Sequence, residues 1–198
     1  MTDEVTLEKV ALTNTTKSKS LIPTELEAED EIKRWENAPL QLGKGKGRKS
    51  GHVKRSDGTV EPFLTGGYGH LLTKAESLLY PDGTDIPQSV IDAWWKVDYA
   101  EHKKAGERHA KMLNAPQLTG LLINASFQNG ANWDKKHKQT WKLMKAAKTE
   151  EDWNEAADEV LRNKAGTGPS LWFEQTPTRA KAFSDALREY GRLVASTI

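Results

Sequence analysis

A chain of 198 residues with a net charge of +1 suits one ordinary domain, or two small lobes around a shared core. The near-zero charge argues against nucleic-acid binding over the whole surface, and the lack of cysteine excludes disulfides, thiol catalysis and thiolate metal sites. Seven tryptophans supply bulky burial for a folded protein, while no apolar run approaches the roughly 18 residues needed to span a bilayer.

The N-terminus, Met1 to Val5, is acidic and has neither a basic n-region nor an apolar h-region, so no secretory leader of the common kind is expected. Residues 1–22, rich in Thr, Ser, Lys and Glu, read as an N-terminal extension and linker. A first helix starts at Thr24, with Glu27 completing a capping box, and Pro39 is expected to stop it. Glu36 then falls at the helix C-terminus, where the helix dipole disfavours negative charge. That setting suits a group that must hold a proton, although an exposed glutamate is tolerated there too. Between residues 43 and 55 lie six Lys/Arg with no acidic residue, a solvated loop or a guide toward an anionic surface.

Ser56-Asp57-Gly58-Thr59 reads as the turn of a hairpin between His52–Arg55 and Thr59–Leu64, with Pro62 demoting the second strand to a sheet edge. Thr65-Gly66-Gly67-Tyr68-Gly69-His70 follows, where glycines allow a tight turn or a close approach of backbone to a ligand. Thr73 and Glu76 signal a helix start. Beyond them the chain is nearly all helix: Ser89 to about Gly106, a mostly buried helix from Pro116 to Asn129, one from about Gln139 to Ala147, one capped by Thr149, and a last one capped by Thr176 and opened by Pro177. No histidine shows metal-ligand spacing, so neither a metal nor a cofactor is expected.

Four blocks carry a resemblance. The segment Thr65 to Leu78 (TGGYGHLLTKAESL), Ile32 to Glu36, Leu122 to Gly130 and Trp172 to Lys181 resemble, in order, the T-even phage lysozymes of glycoside hydrolase family 24. The resemblance covers the chain from about Glu29 onward. It implies an α+β, lysozyme-like fold: a small lobe with a β-hairpin or sheet over about 23–88, and a larger all-helical lobe over about 89–198, joined by a long helix. It also implies a muramidase acting on bacterial peptidoglycan, expected to work as a monomer; the charge and the lack of a long apolar run already speak against a nucleic-acid partner and a membrane span. Such an enzyme is made in the host bacterial cytoplasm and reaches the cell wall through holin-dependent release or a virion.

Residue by residue, the resemblance gives Glu36 as the proton donor and Thr65 as the group that orients water. The family's aspartate stands five residues clear of that threonine, a position occupied here by Thr59, so Asp57 is the first choice for the second carboxylate and Glu61 the next. Leu71, Phe127 and Gln128 match cleft-lining positions, Arg179 matches an arginine beside the acid, and His70 matches a histidine paired structurally with an aspartate, here Asp98. The loop before Trp172 is lengthened by Thr167-Gly168-Pro169, which alters the contacts expected there. A lytic transglycosylase working through Glu36 alone, and a silent peptidoglycan-binding module, are the alternative readings.

Overall fold

The structure, a computed structural model, describes residues 20–41, 49–54, 58–162 and 166–197. It is mostly helical with one small antiparallel sheet, an α+β chain. Helix α1 (Glu25–Gln41) leads into strands β1 (Gly51–Lys54), β2 (Val60–Gly66) and β3 (His70–Leu71). Then come α2 (Lys74–Leu79), α3 (Gln88–Leu113), a 3-10 turn (Pro116–Leu118) and α4 (Thr119–Asn129). The rest is α5 (Trp133–Lys136), α6 (Lys138–Ala146), α7 (Glu150–Leu161), α8 (Leu171–Gln175) and α9 (Pro177–Ala195).

Capping boxes set three of the helix starts. Thr24 Oγ1 accepts from the Glu27 backbone N–H at 3.2 Å while Glu27 accepts from the Thr24 N–H at 3.0 Å. Thr73 with Glu76, and Thr149 with Asp152, repeat the arrangement, satisfying donors that the first helical turn otherwise leaves unpaired. Thr176 differs from expectation. Its hydroxyl makes no cap bond to α9, because it donates to Trp172 O at 3.2 Å and accepts from the Gln128 side-chain amide.

Three further expectations are corrected. Pro39 does not stop α1: the backbone breaks at Asn37 (φ −158°, ψ 74°) and helix resumes to Gln41, with Pro39 inside the first turn after the break, where its missing N–H costs little. Pro62 lies in the middle strand, not at an edge, since the order is β1-β2-β3. Among the described residues β3 pairs only with Thr65 and Gly66, however, so at Pro62 no described strand lies on that side of β2, and the β1 register shifts nearby. Gly106 does not end α3, which runs on to a left-handed C-cap at Asn114. Gly106 serves packing instead. A Cβ there would sit 2.6 Å from Ile123 N and 2.7 Å from Ile123 Cα, so only glycine lets α3 and α4 approach this closely.

Two apolar clusters result. Ile32, Tyr68, Ile86, Ile91, Trp95 and Ile123 form the smaller, between α1, the sheet and the first half of α3. The larger gathers α4, α6, α7, α8 and α9 around Leu122, Trp133, Met144, Trp153, Trp172 and Leu187. Each fully buried large side chain contributes roughly 1.5–3 kcal/mol of transfer free energy. α3 and α4 supply residues to both clusters, so the two are not separable bodies in sequence. No helix among the described residues is long and apolar enough to cross a membrane.

Candidate active site

Glu36 is the last residue before the break in α1. The break is held by Asn37, whose side-chain amide donates to Gly67 O at 2.9 Å and so fastens the helix end to the turn between β2 and β3. This places the Glu36 carboxylate against Gly69. With φ at +88°, Gly69 occupies the left-handed region, and a Cβ added there would lie 3.4 Å from Glu36 Oε2. The other oxygen, Oε1, accepts from Arg179 Nη1 of α9 at 2.7 Å. The glutamate side chain is 23% exposed and the arginine 11%, so the pair is shielded while the carboxylate still meets solvent. The Arg179 guanidinium also lies over the Trp35 ring, 5.7 Å from its centroid, an attraction between cation and π face.

Thr65 is half-buried in β2, and its hydroxyl donates to Gly51 O across the strand pair at 3.3 Å. Leu71 is its partner on β3 and is exposed; directly opposed residues of antiparallel strands share a sheet face. Asp57, the first choice for a second carboxylate, lies outside the described residues. Glu61 lies in β2.

Phe127 packs into the smaller cluster, tilted on Trp95 at 5.4 Å and on His102 at 4.8 Å. Gln128 turns the other way, toward Thr176, on the stripe of α4 that faces Arg179. His70 places Nδ1 2.9 Å from Asp98 Oδ2 on α3 and Nε2 3.4 Å from Glu76 Oε2, and its ring stacks on Trp94 at 4.4 Å. Glu76 is pulled down to about 2, chiefly by the Thr73 hydroxyl and then by the Thr73 backbone and His70. It therefore stays ionised at any working pH.

Sequence reasoning missed several groups here. Asn37 fixes the helix break, Trp35 underlies the guanidinium, and Glu76 accepts from Trp94 Nε1 at 2.8 Å as well as facing His70. Only the Thr73–Glu76 spacing gave a local signal, and it reported a helix start, not a histidine partner. His102 was missed too. Desolvation pushes it below the ordinary histidine range, against the pull of Glu101, Asp98 and Glu36, so a neutral imidazole stands near the acid.

The arrangement offers one carboxyl oxygen to a cation and the other to a turn free of side-chain bulk. It suits single-proton exchange with a ligand lying along Gly69. Among the described residues no group of three or more His, Asp or Glu is placed to hold a metal ion. No protein-family model matches the chain, and a search of curated proteins returns no match.

Proposed function

We propose that the chain is a lysozyme-like muramidase that hydrolyses the β-1,4 bond between N-acetylmuramic acid and N-acetylglucosamine in bacterial peptidoglycan. The observation that carries the reading is the Glu36 carboxylate, held at a helix break between Arg179 and Gly69. The four sequence blocks that resemble the T-even phage lysozymes support it, since they supply Glu36, the glycine turn and Arg179 together. Glycosidic cleavage needs a proton delivered to the leaving oxygen and a second group to handle the positive charge or the water. Glu36 delivers the proton. Asp57, or failing it Glu61, activates water on the opposite face, and Thr65 helps place that water, with inversion at the anomeric carbon as the resemblance implies. Leu71, Phe127, Gln128 and Arg179 contact the sugar chain, and His70 with Asp98 braces the sheet against α3.

The test is lysis of chloroform-treated Gram-negative cells by Glu36→Gln. General acid–base catalysis is worth on the order of 10²–10⁴-fold, and a loss of that size is expected in a variant that still folds, as circular dichroism would check. Wild-type lysis by the variant rules the reading out. One observation favours a second reading, the lytic transglycosylase: Thr59 occupies the place where the family's aspartate is expected. Mass spectrometry of released muropeptides separates the two, since 1,6-anhydro ends mark the transglycosylase and reducing ends the hydrolase.

A further inference from the structure

Helix α6 turns Trp141 and Met144 into the larger cluster and leaves Lys138, Lys142 and Lys145 exposed. Their spacing of i, i+4 and i+7 sets them in one stripe along the helix, and the exposed Lys135 of α5 lies just before it. Residues 135–148 hold six lysines and no acidic residue, in a chain whose net charge is only +1. On other helices a lysine has an acid four residues away: Lys33 lies 2.8 Å from Glu29, and Lys181 lies 2.6 Å from Asp185. Among the described residues Lys135, Lys138, Lys142 and Lys145 form no ion pair. Like charges one turn apart weaken a helix, whereas acid–lysine pairs support it. The stripe therefore costs α6 stability that the pairing on α1 and α9 avoids.

We propose that this lysine stripe is a docking surface for an anionic lipid bilayer, held at the headgroups by charge alone. Three features favour a bilayer over a nucleic acid. The stripe runs along the outer side of a helix, which a plane meets along its length, and is not a groove of the kind that tracks a nucleic-acid strand. No aromatic or large aliphatic side chain is exposed on α5 or α6, so nothing there stacks on bases or inserts among acyl chains. Every cation of residues 135–148 is a lysine, a compact point charge, whereas recognition of one phosphate favours the forked guanidinium. Clusters of roughly 4–8 basic residues are drawn to the negative surface potential of anionic lipids. Glu150, Glu151 and Asp152 open α7 directly afterwards and confine the positive field to the stripe. Docking is therefore peripheral, one-sided and reversible by salt. It does not rest on the muramidase reading.

The experiment is co-sedimentation of the full chain with vesicles of phosphatidylglycerol and phosphatidylcholine, mixed about equally, and with vesicles of phosphatidylcholine alone, in about 0.05 M salt. Binding is expected to the anionic vesicles only, and to be lost by about 0.5 M salt, where screening shortens the reach of each charge. Lys138→Gln, Lys142→Gln and Lys145→Gln combined should weaken it by about fivefold per lysine, on the order of 100-fold in all. Lys74, Lys96 and Arg192 are exposed on α2, α3 and α9. Changing those three to Gln removes the same charge and should weaken binding less than about threefold. Circular dichroism checks that both triple variants fold. The proposal is overturned if the parent ignores anionic vesicles, or if the two triple variants lose binding equally, which would show net charge alone at work. It is overturned equally if the chain retains a short DNA duplex to higher salt than it retains the vesicles. Lysis by Glu36→Gln is scored separately and bears on the muramidase only.

Discussion

The tryptophans of the two apolar clusters are used differently. Around the smaller cluster their N–H groups are tied to carboxylates: Trp95 Nε1 donates to Glu29 at 2.9 Å and Trp94 Nε1 to Glu76 at 2.8 Å. In the larger cluster, Trp133 and Trp172 are buried with Nε1 unpartnered. Near Glu36, then, aromatic rings orient acidic side chains, whereas the helical core uses them to fill volume. Glu29 shows the consequence: burial pushes its carboxyl up, yet the bonds from Lys33 and Trp95 leave it lowered on balance. Rings that anchor charge make the surroundings of the site rigid by direction, and rings that fill space make the core rigid by density.

The contrast is sharpest at Trp133. Trp133→Ala should cost about 3–5 kcal/mol in urea unfolding, the loss seen when a large aromatic leaves a cavity. Trp133→Phe should cost only about 1–2 kcal/mol, because the N–H it removes bonds nothing. Equal costs for the two variants would show that the indole nitrogen matters and break the comparison.

Buried histidines give the next largest effect. Burial pushes His109 down against the pull of Asp134, assisted by the Arg108 charge, and it pushes His102 and His137 down as well. Each is protonated in the unfolded chain at a higher pH than in the folded one. Stability is therefore complete above the unfolded value of about 6.5 and falls as pH drops below it. Urea midpoints above and below that value check this, and His109→Gln should flatten the slope.

Glu76→Gln comes third. It weakens charge-assisted bonds from Thr73, Trp94 and His70, for a loss of about 1–2 kcal/mol at pH 7 by urea unfolding. Glu76 in the folded chain titrates near 2, below its unfolded value, so its contribution is present above about pH 4.5 and is lost as pH falls toward 2. The variant should lack that acid-limb loss. Smallest is Trp94→Phe, which removes one bond to Glu76 and should cost about 1 kcal/mol. A null effect there would mean that the ring, stacked on His70, matters more than its N–H.

Much of this was legible wherever a local rule applied. Thr24, Thr73 and Thr149 announced their helices because a capping box is complete within four residues. Asn129-Gly130 ended α4 for a similarly local reason. The short elements β3, α5 and α8 escaped, being too brief to show a period. Gly106 misled because a glycine that admits a neighbouring helix looks, in sequence, like one that stops its own. The placing of Glu36 at the helix end was readable, but the reason for the break was not: Asn37 reaches Gly67, thirty residues on. Arg179 is farther still, and no periodicity could have joined it to Glu36. Only the resemblance did.

That separation carries a consequence for biosynthesis. Glu36 and Arg179 are 143 residues apart, and the segment before α1 is clasped at Leu21 N and the Ser20 hydroxyl by Glu189, also of α9. At a translation rate of roughly 5–20 residues per second, the acid waits roughly 7–30 s on the ribosome before its cation is made. A nascent chain stalled short of α9 should thus carry every other part of the centre and still lack the completed pair.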